Sequence, residues 1–247
     1  MKADPEHQLR LLDLQEIDSN LERLEHRAGN LPELDEVTQL DTRLAALRDN
    51  VAAVDTELGD IAREQRKAEA DVEQVRSRAQ RDQSRLDSGQ VSSPKELESL
   101  QSEISSLRGR QQELEETVLE VMERREAAES RRAEHTAQLE ALTVRRDAAE
   151  ERRSTAMVDI EAEQQSARDR RVRVVDELPE ELLSLYTKLR DSYAGIGAAV
   201  LQYGRCQGCK LALSTAELSE IRTAAADEVM RCEECRRILV RTTESGL

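Results

Sequence analysis

The chain has 247 residues, of which 36% are charged and 1% aromatic, and its formal net charge is −15. With no Phe, no Trp and three Tyr it lacks the bulky filling of one globular core, and its mix of helix formers with few Gly and Pro reads as long helices or coiled coil. The acidic balance argues against loose nucleic-acid binding over the whole surface, though not at a local basic site, and no apolar run long enough for a membrane span occurs.

Asp4 before Pro5 is a good N-cap and first-turn pair. Leu9, Leu12, Ile17, Leu21, Leu24 and Ala28 then recur at helical spacing, and Gly29-Asn30-Leu31-Pro32 predicts a break or kink. Acids among these first leucines leave no apolar signal region, so a cytoplasmic protein is expected.

The clearest pattern follows. In steps of three and four from Val37 come Leu40, Leu44, Leu47, Val51, Val54, Leu58, Ile61, Gln65, Ala68, Val72, Val75, Ala79, Asp82 and Leu86. Such a sustained a/d seam predicts one coiled-coil strand, about 80 Å long over residues 33–87. Gly89 ends it, and Ser93-Pro94-Lys95-Glu96 has the form of a capping box that starts another helix. A second seam runs through Leu97, Leu100, Ile104, Leu107, Gln111, Leu114, Val118 and Val121. A short loop between two such helices predicts an antiparallel hairpin. With Leu86 facing Leu97, Gln65 is expected near Val118, and Gln111 near Val72.

Further along, the same steps meet Arg125, Arg132, Arg146 and Arg153, each in an Arg-Arg pair. The favoured reading is that their stems cover the seam while their heads pair with acids opposite. The other is an Arg stripe for an acidic partner or RNA, diluted by nearby Glu residues. The locally basic stretch SARDRRVRVV leads into a segment holding all three Tyr, where Pro179 predicts a short helix to Ser192.

The cysteines are spaced Cys206-x2-Cys209-x22-Cys232-x2-Cys235. In a reducing compartment two C-x-x-C pairs are metal ligands rather than disulfides. Two knuckles supply the four-sulfur tetrahedron of one structural Zn²⁺, with no open position for hydrolytic chemistry. Arg205, Lys210, Arg231, Arg236 and Arg237 are placed to offset the net −2 of four thiolates and a dication. Ser214-Thr215-Ala216-Glu217 predicts a capped helix to about Arg222, and residues 198–203, 229–231 and 238–241 read as short strands. A thioredoxin-like redox motif would need a βαβ context that is absent. His7, His26 and His135 are scattered and receive no ligand role.

The fold class expected is therefore mostly α: a long antiparallel coiled-coil hairpin (1–175, tip near 88–94), a helical neck or linker (176–202) and a small C4 zinc ribbon (203–247). Three stretches, VSSPKELESLQSEI, GIGAAVLQYGRCQGCKLALSTAELSEIR and EVMRCEECRRILVR, resemble the bacterial family of C4-type zinc-ribbon, coiled-coil hairpin proteins, its actinobacterial members most nearly. That family often has Gly immediately after the last cysteine, where this chain has Arg236. Some members are linked to the nitrogen-type sigma factor, to flagellar or secretion-system regulation and to mRNA binding. The resemblance implies an adaptor or chaperone.

No catalytic constellation stands out, so an enzyme is not expected. The function expected is a non-enzymatic adaptor. Its ribbon would contact RNA or DNA through Arg205, Lys210, Arg231, Arg236, Arg237 and Arg241, and its coiled coil would hold a protein partner. The alternative is a protein-only scaffold or chaperone for a transcription or secretion factor.

Overall fold

The computed structural model describes residues 1–247. Helix α1 (Pro5–Gly29) starts where expected: the Asp4 side chain accepts from the Glu6 N–H at 2.9 Å, and Pro5 occupies the first turn. It ends at Asn30, whose side-chain amide donates to the His26 carbonyl at 2.7 Å. Helix α2 (Pro32–Asp87) and helix α3 (Pro94–Asp176) are the arms of a long antiparallel hairpin. Gly89 adopts the left-handed backbone (φ +67°) that ends α2. Helix α4 (Glu180–Ser192) precedes a four-stranded sheet. Its strands are β1 (Ala198–Gln202), β2 (Arg205–Cys206), β3 (Met230–Arg231) and β4 (Ile238–Val240), with helix α5 (Thr215–Thr223) between β2 and β3.

Two compact units divide the chain. One, Asp35–Glu150, is built from the facing parts of α2 and α3. Every seam position of α2 from Val37 to Leu86 is buried or half-buried, as the a/d pattern requires. On α3 the same holds except at Arg125 and Arg132, which are exposed. The arginine pairs follow the favoured reading. Arg124 reaches Glu64 (3.0 Å), Arg131 Glu57 (2.8 Å), Arg132 Asp55 (2.5 Å) and Arg146 Asp41 (3.1 Å), each from α3 to α2.

The register differs from expectation. Arg125 Nη1 lies 3.4 Å from Gln65 Oε1, and Val118 shares a cavity with Glu69 and Val72. The cross-helix ion pairs Arg124–Glu64 and Arg131–Glu57 put the displacement from a Leu86–Leu97 pairing at about five residues, somewhat more than one turn. Near the tip Leu100 and Ile104 are buried, while Leu97 is only half-buried. The connection over residues 88–93 therefore carries the first turn of α3 past the end of α2.

The other unit, Met1–Leu34 with Glu151–Leu247, contains the sheet. The strand order is β2-β1-β4-β3, with β1 and β4 parallel at the centre (Ala198 opposite Ile238) and an antiparallel partner on each side. Alternate residues of the central pair serve two cores. Ala198, Ile238 and Val240 pack with Leu11, Leu14, Leu182, Tyr186 and Leu189 of α1 and α4. Ala199, Leu201 and Leu239 pack with Cys206, Cys232 and Ile221.

Helix α1 buries Ile17 and Leu24 of its leucine spacing and half-buries Leu12, Leu21 and Ala28, but its buried face is wider than that spacing suggested. Leu9 is 45% exposed, while Gln8, Leu11, Leu14, Gln15 and Asp18 are buried. The polar members are satisfied there. Gln15 Oε1 accepts from the Gly197 N–H (2.7 Å), and its amide donates to the Gly195 carbonyl (2.8 Å). Asp18, 1% exposed, accepts from the Tyr186 hydroxyl (2.8 Å) and Arg171 Nε (2.7 Å), with Arg190 Nε at 3.4 Å as a further ion pair. Burial of these groups costs little because each has its partners. The N-terminus adds to the same unit. Ala3 donates to the Asp227 carbonyl (2.8 Å), Val229 donates to the Met1 carbonyl (3.1 Å), and Lys2 pairs with Asp227 (2.9 Å).

Candidate metal centre

Each cysteine pair sits on a tight knuckle at one antiparallel arm of the sheet, Cys206 on β2 and Cys232 directly after β3. The knuckles repeat each other bond for bond. Lys210 N–H donates to the Cys206 carbonyl (2.8 Å) as Arg236 N–H does to Cys232 (2.8 Å). Cys206 N–H donates to the Leu211 carbonyl (3.0 Å) as Cys232 N–H does to Arg237 (3.1 Å). Both turns require a left-handed residue after the second cysteine, and Lys210 (φ +65°) and Arg236 (φ +62°) take it up. That is the position where Gly would be unstrained.

The four sulfurs lie within 4.8 Å of one another. Cys206 and Cys235 are 3.8 Å apart, and Cys209 and Cys232 3.9 Å. A Zn–S bond of about 2.3 Å in a tetrahedron gives sulfur separations of about 3.8 Å, so the donor set fits the ion. Backbone N–H groups point into the same space. Cys206 accepts from Gly208 and Cys209, Cys232 from Glu234 and Cys235, and Cys235 from Arg237. Burial pushes the Cys206 thiol up and the Cys232 thiol up to about 12. Burial also opposes ionisation of Cys235, but hydrogen bonds from the Arg237 N–H and guanidinium and from the Cys232 and Cys209 thiols together draw that thiol below its ordinary value. Binding one structural Zn²⁺ must therefore release thiol protons, and the ion clamps two arms that share only a small core.

The six basic residues expected at a contact surface separate into two kinds. Arg237 and Arg241 point inward. Arg237 donates to the carbonyls of Ile196 (3.0 Å) and Tyr193 (2.9 Å), and its guanidinium lies 5.6 Å from the centre of the Tyr193 ring. Arg241 donates to the carbonyls of Ile221, Ala224, Ala225, Ala226 and Glu228, gathering the end of α5 and the turn beyond it. The other four are exposed, and each stands one residue from a cysteine: Arg205, Lys210, Arg231 and Arg236. Arg231 also donates to the Arg236 carbonyl (2.7 Å). Spacing offered no means of telling these two kinds apart. The supporting Gln15 and Asp18 of α1 and Arg190 of α4 carry no signal in the sequence either, because each sits among the leucines of an ordinary amphipathic helix.

Fold and site together define a protein that combines a coiled-coil hairpin with a structural zinc ribbon. The chain belongs to the CT398-like coiled coil hairpin domain family, matched over residues 14–194, and a C4-type zinc ribbon domain is matched over residues 205–239. It is 36% identical to "Uncharacterized protein Rv2229c" of Mycobacterium tuberculosis over 98% of both chains, and 27% identical to "Uncharacterized protein ML1638" of Mycobacterium leprae over 90% of this chain and 94% of that one. A solved Mycobacterium smegmatis structure is similar over 98% of this chain and all of that one, with 34% identity and a TM-score of 0.85. CT398 from Chlamydia trachomatis shares the fold at 19% identity (TM-score 0.68, 96% of this chain and 98% of that one). No helix is long and apolar enough to cross a membrane.

Proposed function

We propose that the protein is a non-enzymatic adaptor that contacts nucleic acid through the rim of its zinc ribbon and a protein through its coiled coil. The supporting observation is that Arg205, Lys210, Arg231 and Arg236, each one residue from a cysteine of the cluster, are all exposed in a chain whose net charge is −15. Phosphates approaching these four would be attracted locally and repelled elsewhere, which favours docking in one orientation. Exposed Tyr203 is the one aromatic side chain at the turn between β1 and β2, so contact would be mainly to phosphate.

The test is fluorescence anisotropy with single-stranded RNA and duplex DNA against the zinc-loaded protein over a salt series. Arg205→Glu/Arg236→Glu should weaken binding about tenfold or more and flatten the salt slope, with zinc content unchanged. Equal binding by this variant and the wild type would sink the reading. The alternative, a protein-only scaffold, draws support from Glu233 and Glu234, which are exposed in the second knuckle. Absence of any nucleic-acid binding at low salt would select it.

A further inference from the structure

Between α2 and α3, partway along the Asp35–Glu150 unit, two cavities of about 310 and 480 Å³ share one wall residue, Leu119. Val72, Val118, Leu119 and Met122 line this groove with apolar surface. Leu119 is 59% exposed and Met122 47% exposed, on consecutive turns of α3 just outside the seam. Neither is needed to close the hairpin, since the seam beside them is occupied by Val118 and Val121. Unlike the exposed Val144, Val158 and Val172, these two side chains join Val72 and Val118 in one continuous apolar floor.

The rim explains what would cover them. Glu69, Glu115, Glu123, Glu126 and Glu129 surround the floor, against the single Arg125. Arg125 is already committed, its Nε 2.9 Å from Glu129 and its Nη1 3.4 Å from Gln65. Five carboxylates facing one paired guanidinium leave the groove strongly negative. Nucleic acid is repelled by such a rim, and a second copy would set its own carboxylates against these. A groove between two long helices accepts a third helix, with apolar anchors one turn apart, and Met adapts to the shape of its partner.

We propose that this groove is the docking site for a basic amphipathic helix of a protein partner, whose apolar stripe covers Leu119 and Met122 while its Lys and Arg residues meet the glutamate rim. The proposal rests on the protein-binding half of the adaptor reading and gives it a location and a chemistry. The ribbon rim plays no part in it.

The probe is a labelled synthetic peptide of about 20 residues, with Leu at i, i+3, i+4 and i+7 on one face and Lys and Arg on the other, titrated into the full zinc-loaded chain. One control peptide has the same composition scrambled so that no apolar face forms. Another keeps the apolar face but carries Glu in place of the basic residues. The first peptide should bind in the micromolar range, and both controls at least about tenfold more weakly. Leu119→Ser/Met122→Ser should cost about tenfold or more at unchanged helicity, because both side chains are exposed in the free protein. Glu123→Gln/Glu126→Gln should weaken binding chiefly at low salt. Arg205→Glu/Arg236→Glu should leave peptide binding intact, which separates this site from the ribbon.

Three results would overturn the proposal: equal binding of the scrambled peptide, no binding at about 100 µM, or wild-type affinity in Leu119→Ser/Met122→Ser. A dimer in sedimentation that this variant dissolves would assign the groove to a second copy instead. Failure here with RNA binding intact would leave the ribbon half of the adaptor reading standing.

Discussion

Arg236 carries two opposed demands. Its backbone is left-handed at φ +62°, which costs a side-chain-bearing residue about 1 kcal/mol, while its exposed guanidinium adds charge beside Cys235. Arg236→Gly should therefore stabilise the ribbon by up to about 1 kcal/mol, seen as a higher midpoint against chelator or urea, while weakening RNA binding. A ribbon no more stable than wild type would mean that the surrounding bonds, among them the Arg231 donation to the Arg236 carbonyl, already absorb the strain. Tyr186 shows a second demand. Burial, then the Asp18 charge and hydrogen bond, hold its phenol far above the ordinary 10.0. On unfolding the phenol ionises near its ordinary value, whereas the folded phenol keeps its proton. The stabilisation linked to this group is complete below about pH 10 and is lost progressively as the pH rises above it. Tyr186→Phe should cost about 1 kcal/mol at neutral pH, through the lost bond to Asp18, and make the urea midpoint less steep in pH above about 10. Parallel pH profiles for the two proteins would contradict this account.

Among the elements, the hairpin unit gains its stability from its seam and little from its ion pairs. Ile61, 1% exposed, packs with Val54, Val121 and Ala128, so Ile61→Ala should lower stability by about 2–4 kcal/mol in a helix melt. The pair Arg131–Glu57 is close to half-exposed on both sides, and a double-mutant cycle should return a coupling below about 1 kcal/mol. The lateral pairs instead help to choose register, since a slip of one turn separates all of them together. That register is the part of the hairpin that local sequence does not specify. The a/d periodicity showed which face of α2 and α3 is buried, but not which residues stand level, because that depends on the path of the loop over residues 88–93. The opposite happened at α5, where the expected capping box is present, with Ser214 accepting from Glu217 N–H and Glu217 accepting from Ser214 N–H. A cap is a contact between residues three apart, so the local sequence suffices to specify it.

In the molecule as a whole, zinc and helix stabilise different parts. The sheet has one face in a core with α1 and α4 and the other in the small cluster around Cys206 and Cys232. Chelation, or Cys232→Ser, should unfold the knuckles and the Ile221 side of the sheet. The α1–α4 side, with Ile238 and Val240 against Tyr186, should persist. Circular dichroism at 222 nm should change little, while amide exchange accelerates between β2 and β3. A loss of most of the helical signal on chelation would show that the metal holds more than the ribbon.

Length, composition and local spacing by themselves determined the helical class, the two seam faces, the break at residues 29–32, the capped helix and the four metal-ligating cysteines. Each of these is written in residues a few positions apart, or in residue types with one dominant chemistry. Only the tertiary structure decided that α1 turns Gln15 and Asp18 inward, that Met1–Ala3 joins residues 227–229, and that Arg237 and Arg241 serve backbone carbonyls while Arg205, Lys210, Arg231 and Arg236 face solvent. Those outcomes hang on partners up to some two hundred residues away, and an arginine carries the same charge whether its donors meet a carbonyl or water.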